Sequence, residues 1–205
     1  MMKRYFVILL ILFAGNPSFS QAPEKIQDGY NRFRYPNGAI SSEGTIRNGK
    51  PDGYWKSYWV TGIKKSEGRY TNFLLDSIWV FYDQSGDTLQ KINYLYGKRN
   101  GYYYRYRKDP SAGIYIWSKE LYAGDSKEGM AYVYYPDGKI KQTLLYNKGK
   151  KEGLSKELDQ NGQVITLLEY SNDFLVSRER INRTDNTGMK QGVWKEFHDA
   201  GNVKN

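Results

Sequence analysis

The 205 residues carry a formal charge of +9, one histidine and no cysteine. Thiol nucleophiles, thiolate metal sites and disulfides are thereby excluded, and a triad or histidine-ligated metal would have to be built around His198 alone. With 20 tyrosines and 21 glycines against 39% hydrophobic content, aromatic rings must carry much of the burial, at about 150–250 Å² each.

Residues 1–20 stand apart. Met1-Met2-Lys3-Arg4 is a basic start, Tyr5 to Ala14 is an unbroken apolar run, and Asn16-Pro17 breaks it. Small residues at Ser18 and Ser20 then predict cleavage between Ser20 and Gln21, the pattern of a secretory signal peptide. Ten apolar residues fall short of the about 20 that a membrane-spanning helix needs; a short, uncleaved membrane-proximal helix is the competing reading. An exported protein, periplasmic or secreted, is expected. Cleavage would leave 29 basic and 22 acidic residues, a balance of about +7.

Beyond a lead-in over 21–29, the chain repeats. Glycine falls at 38, 62, 86, 113, 138, 162 and 201, with a recurring step of 24; a second series runs through Gly29, Gly53, Gly101, Gly129, Gly153 and Gly192, with Ser77 and Ser177 in phase. Tyr70, Tyr94, Tyr122, Tyr146 and Tyr170 form a third. Each unit opens with an apolar residue, Tyr30, Tyr54, Ile78, Tyr102, Met130, Leu154 or Val193, and most place Tyr, Leu or Phe four positions on. An even separation puts both on one face of a strand, and the neighbouring Trp55, Trp79, Tyr103 and Trp194 on the other. Turns such as Tyr35-Pro36-Asn37-Gly38 close the first hairpin, because proline presets φ and glycine accepts a positive one. Turns of the Asn48-Gly49-Lys50 kind then lead into the next unit. The expectation is an all-β fold: an antiparallel meander of about six to seven 24-residue β-hairpins forming an elongated twisted sheet. The repeats span 30–177, an irregular insert covers 178–192, and a terminal partial repeat fills 193–205. Each hairpin must lean on the next, since one alone is marginal in water.

The pattern G-x-W-x-x-Y-x-x-x-G, a second strand, then G-K-x-x-G resembles the MORN repeat, particularly its bacterial variant. It is carried by Gly53-Tyr54-Trp55-Lys56-Ser57-Tyr58 with Gly62, by Trp79, Tyr82 and Gly86, by Gly97-Lys98 with Gly101, by Gly149-Lys150 with Gly153, and by Gly192-Val193-Trp194 with Phe197 and Gly201. Over about residues 24–205 the chain looks like the proteins labelled YwqK-family antitoxins. The resemblance implies a sheet of successive hairpins and a role in protein scaffolding, dimerisation or phospholipid head-group contact. Residues 71–77 and 172–177 depart from it, lacking the Gly-Lys turn.

Catalysis is not expected, nor is any cofactor or metal. His198 occupies a position filled elsewhere by Tyr35, Trp59, Asp83, Arg107, Tyr135 and Asp159, that is, an ordinary surface strand position. Glu120 and Asp125 are the best local carboxylate pair for glycoside hydrolysis, but no other unit repeats them. Asp185-Asn186-Thr187-Gly188 lacks the spaced acids of a calcium loop. The Gly-Lys turns lack the remaining elements of a phosphate-binding loop.

Binding is the expected role, through one of two surfaces. Lys50, Lys98, Arg99, Lys150, Lys151 and Lys190 fall in inter-unit turns and predict a basic rim for anionic lipid head groups, or simply a soluble edge. Trp55, Trp79, Tyr103 and Trp194 share a phase and form a candidate aromatic ladder for a glycan or protein, unless they pack on neighbouring hairpins. A protein partner, met through the aromatic face or an open edge, is the first choice. A homodimer through the sheet ends is a further option, and nucleic acid, despite the basic charge, does not suit an exported chain.

Overall fold

A computed structural model describes residues 27–197. The expected signal peptide and cleavage point, most of the expected lead-in, His198 and Gly201 lie outside the described residues.

The expected meander is present. The strands are β1 (Gly29–Arg34), β2 (Ile40–Arg47), β3 (Lys50–Tyr58), β4 (Lys64–Thr71), β5 (Leu74–Tyr82) and β6 (Thr88–Leu95). They continue through β7 (Lys98–Asp109), β8 (Gly113–Ala123), the short β9 (Ser126–Lys127), β10 (Gly129–Tyr134), β11 (Ile140–Asn147), the short β12 (Lys150–Lys151), β13 (Gly153–Leu158), β14 (Val164–Ser171) and β15 (Phe174–Arg180). All belong to one open antiparallel sheet that follows the chain order, with β8 pairing on to β10 and β11 to β13 while the short β9 and β12 pair only with β8 and β11. Among the described residues no helix forms.

Turn chemistry sets the period. Within a unit the chain reverses as at Trp59–Gly62, where the Trp59 amide donates to the Ile63 carbonyl (2.7 Å), the Gly62 amide donates to the Trp59 carbonyl (2.8 Å), and Gly62 has φ 84°. Between units the reversal has two successive residues at positive φ, as at Asn48 (50°) and Gly49 (71°). That is the turn whose twist matches flanking strands. The two units lacking Gly-Lys keep the same geometry: Asn72 and Phe73 stand at 49° and 69°, Asn172 and Asp173 at 51° and 73°. Successive turns are also bonded to one another. The Gly97 amide donates to the Leu75 carbonyl, Asp125 to Arg99, Gly149 to Lys127 and Asp173 to Lys151.

Each hairpin carries a bulge at one place, between Ser57 and Tyr58, Phe81 and Tyr82, Arg105 and Tyr106, and so on through Glu157 and Leu158. The bulged residue lies on the second strand, so Tyr54 and Tyr58 stay on one face of β3 and Trp55 on the other.

The C-terminal part departs from the expected division. β15 runs through the boundary set at 177, so part of 178–192 is regular sheet. Gly188 continues the first glycine series after a step of 26 rather than 24, closing a turn between β16 (Arg183–Thr184) and β17 (Lys190–Gln191), which form a separate two-stranded sheet. The terminal residues 193–197 add no strand to the large sheet. They fold against its end instead. The Asn182 amide donates to the Val193 carbonyl (2.9 Å), its side-chain amide donates to the Val164 and Lys195 carbonyls, and Lys195 pairs with Glu179.

Candidate interaction surfaces

Side chains alternate across a strand, so a one-layer sheet presents two faces. On the first, a row crosses the strands: Gly44, Trp55, Gly68, Trp79, Ile92, Tyr103 and Glu120, continuing through Ala131, Leu144, Ser155 and Leu168. Each tryptophan lies flat over the glycine of the strand before it. A Cβ built on Gly44 or Gly68 would fall under 3.0 Å from the Trp55 or Trp79 indole. Both indole N–H groups donate to backbone, Trp55 to the Thr45 carbonyl (3.0 Å) and Trp79 to that of Arg69 (2.9 Å). Phe33, Trp55, Tyr70, Trp79 and Phe81 form a chain of ring contacts at centroid distances of 5.0–6.2 Å.

The candidate aromatic ladder is therefore corrected. Trp55 and Trp79 are 8% and 5% exposed and belong to the core. Tyr103 is half-buried, its hydroxyl bonded to Gln90. Trp194 is half-buried in the terminal segment, apart from the other three, with Lys190 over its ring at 4.4 Å. The physical reason is the absence of a second layer: bulky rings can be buried only by lying along the sheet on a neighbour that has no side chain. Farther along, the sizes invert, with small Ala131 and Ser155 on the first strands and Leu144 and Leu168 on the second. Ala131 and Ser155, which carry no ring, thus leave room for the leucines that keep the row filled.

The basic rim is only partly free. The inter-unit turns do stack side by side, but alternate cations fold inward onto the recurrent tyrosines. Arg99 bonds Asp125 (Nε–Oδ1 3.0 Å) and lies 4.3 Å from the Tyr122 centroid; Lys151 stands 4.9 Å from that of Tyr170. Lys127, outside the expected set, does the same over Tyr146 at 4.8 Å while pairing with Glu120 at 3.2 Å. Lys50 covers Phe73 (4.7 Å), and Lys150 donates to the Asn172 side chain (3.2 Å). Lys98 is exposed. Lys190 lies in β17, in the separate small sheet, and does not join the rim.

The acids between these cations have structural partners. Asp28 accepts the Asn48 and Gly49 amides, Glu128 that of Lys148 and Glu152 that of Asn172, each 20 or 21 residues on. Glu120 is buried in the indole row and held by Lys127, Arg105 and the Tyr122 hydroxyl. Asp125 belongs to Arg99, so neither stands as a free acid facing the other. Asp185 accepts the Thr187 hydroxyl and the Thr187 and Met189 amides, and the Gln191 amide reaches its second oxygen. These bonds, the Thr187 hydroxyl foremost, lower its carboxyl to about 2. It is a turn of the kind made by Asp83 and Asp159. Among the described residues no group of three or more His, Asp or Glu side chains is arranged to hold a metal.

The second face is the exposed one. Tyr30, Tyr54, Ile78, Tyr102, Met130 and Leu154 form a row through six successive units, with Tyr54 and Ile78 each 54% and Tyr102 42% exposed. Near its N-terminal end two glutamates organise it. Glu43 accepts from the Tyr58 hydroxyl (2.7 Å) and Arg32 (2.9 Å), and Glu67 from Tyr54 (2.8 Å), Tyr82 and Lys64 (2.9 Å). Burial, then the glutamate bond, pushes the Tyr54 and Tyr58 hydroxyls up to about 12. Burial works against ionisation of Glu67 too, but bonds from Tyr82, Lys64 and Tyr54 hold its carboxyl below the ordinary value. The sequence signal for these glutamates is a Ser-Glu-Gly triplet ahead of each tryptophan strand, which periodicity alone does not mark as functional.

Midway, at β7, β8 and β10, lies a tyrosine platform. The Tyr102 and Tyr104 rings are 5.9 Å apart and the Tyr132 and Tyr134 rings 6.3 Å. Lys119 pairs in register with both Tyr104 and Tyr132, and its ammonium lies 4.1 Å from the Tyr102 centroid. Burial raises the Tyr134 hydroxyl, and its tyrosine neighbours raise it further.

An open single-layer sheet of stacked hairpins, with a core on one face and an apolar, hydroxyl-bearing surface on the other, is a repeat scaffold. Residues 127–148 and 151–172 match the family of the MORN repeat variant, so these units are MORN-type repeats, and the strands before them repeat their register. No curated protein matches the chain. MORN repeats are non-catalytic modules that mediate protein or membrane interactions.

Proposed function

We propose that the chain is an exported scaffold that binds a protein partner through its tyrosine face, centred on Tyr102, Tyr104, Tyr132 and Tyr134. The supporting observation is the exposed apolar row continued through six units beside that platform. Contiguous apolar surface of this kind marks interaction sites. Tyrosines supply large contact area with a polar tip, and they dominate interface energetics. Residues 1–20 support export. An immunity-like role, in which the partner is an exported or envelope toxin, is the finer form of the same reading. The rim favours anionic lipid less, since Arg99 and Lys151 already have partners. The ladder residues favour a glycan less, since Trp55 and Trp79 are buried.

The test is affinity capture of the tagged chain 21–205 after mild crosslinking in its exported compartment, alongside Tyr104→Ser/Tyr132→Ser and Lys98→Gln/Lys150→Gln variants. One protein at near-equal amount, lost with the tyrosine pair and kept with the lysine pair, is expected. Capture of anionic lipid alone, lost with the lysine pair, would overturn the reading.

A further inference from the structure

At the C-terminal end of the large sheet the indole face opens into a cavity of about 490 Å³ that reaches the buried Thr166 and Asn182. Three arginines line it. Arg178 and Arg180 are two apart on β15 and so point to one face, and Arg183 reaches it from β16. Elsewhere in the array Arg32, Arg47, Arg99 and Arg105 each hold a carboxylate, and Arg107 lies 3.6 Å from the Trp117 centroid. Arg34 and Arg69 also lack a carboxylate, but only here do two such arginines line one cavity among the described residues. Arg178 holds Glu157 at 3.5 Å, and the Asp159 carboxylate uses one oxygen for the turn amides of Asn161 and Gln163. Arg180 and Arg183 have no carboxylate partner among the described residues.

We propose that this cavity binds a phosphate monoester, with the phosphoryl group held between the Arg180 and Arg183 guanidinium groups. Guanidinium forks match the oxygens of phosphate in geometry and charge. A carboxylate would neutralise one of the two, whereas a phosphate monoester, mostly dianionic at neutral pH, meets both. The site lies on the opposite face from the tyrosine platform and does not depend on it.

The probes are glycerol 3-phosphate, with sulfate as competitor, and vesicles containing phosphatidic acid, titrated calorimetrically into the chain 21–205. Binding of glycerol 3-phosphate that weakens at least about tenfold in Arg180→Gln/Arg183→Gln is expected, since the variant removes both guanidinium contacts to the phosphate. The same loss seen only with vesicles would place the phosphate on a lipid and still support the site. The arginines are exposed and unpaired, so the variant should fold, with circular dichroism as the check. Lys98→Gln/Lys150→Gln is expected to bind as the parent does. Equal binding by Arg180→Gln/Arg183→Gln, or no binding of either probe, would overturn the proposal.

Discussion

Replacing Gly68 by alanine tests how a one-layer sheet buries its rings. The Gly68 backbone is in an ordinary strand conformation, so alanine costs nothing in φ. Its Cβ, however, would fall under 3.0 Å from the Trp79 indole and must displace it. Overpacking of this kind costs about 1–3 kcal/mol, and loss of the Trp79 Nε1 bond to the Arg69 carbonyl adds about 1 kcal/mol. Gly68→Ala is therefore expected to destabilise by about 2–4 kcal/mol. Gly62→Ala has open space around it but φ 84° and should cost about 1–2 kcal/mol by backbone strain alone. The inverted row supplies the sharper comparison. Gly68→Leu/Trp79→Ser copies the arrangement of Leu144 and Ser155, and should be less destabilised than the sum of its single variants by about 1–3 kcal/mol. Urea unfolding of the chain 21–205, followed by circular dichroism, measures all five variants, the two singles of the double included. A Gly68→Ala variant within about 0.5 kcal/mol of the parent, or a strictly additive double variant, would refute the packing argument.

Phe73 holds a turn position at φ 69°, where a bulky side chain is strained. Phe73→Gly is expected to raise stability by about 1 kcal/mol, net of the lost Lys50 contact; a lower urea midpoint would show that this contact outweighs the strain. Glu67 has a folded pKa below its ordinary 4.5, so the unfolded chain binds its proton first. Its contribution is complete above 4.5 and is lost as pH falls below it, and Glu67→Gln should flatten the acid limb of the stability curve. Tyr54 and Tyr58 are raised from 10 to about 12, so their contribution is complete below pH 10 and is lost as pH rises through 12. Ultraviolet titration at alkaline pH should show a late-ionising class of tyrosines that Glu43→Gln/Glu67→Gln moves toward 10; a single early class would contradict the glutamate bonds.

Several features were legible because local chemistry dictates them. Glycine and proline at fixed intervals set turns, and turns set hairpins, so the meander and its 24-residue step follow from residues such as Pro36-Asn37-Gly38 without tertiary information. The final repeated turn escaped because the step to Gly188 is 26, and the extra residues at Ile181 and Asn182 are absorbed by a buried amide network rather than by a turn. Likewise Asn72-Phe73 looked like a broken unit, yet bonds from neighbouring turns impose the same backbone.

The division of labour between the faces was decided only by tertiary structure. Alternation assigns Tyr54 and Trp55 to opposite sides but cannot say which side is covered, because both rings are large and both strands amphipathic. The answer lies in the adjacent strand: Gly44 and Gly68 leave room for indoles to lie down on the first face, while Glu43 and Glu67 on the second hold tyrosine hydroxyls outward. Lysine and arginine in the turns were readable as charge, but whether a cation stays in solvent or folds over a ring depends on the tyrosine one unit away. Period and topology thus come from residues adjacent in the chain. Burial, exposure and free charge come from neighbours about 11 to 28 positions apart, which only the stacked sheet brings together.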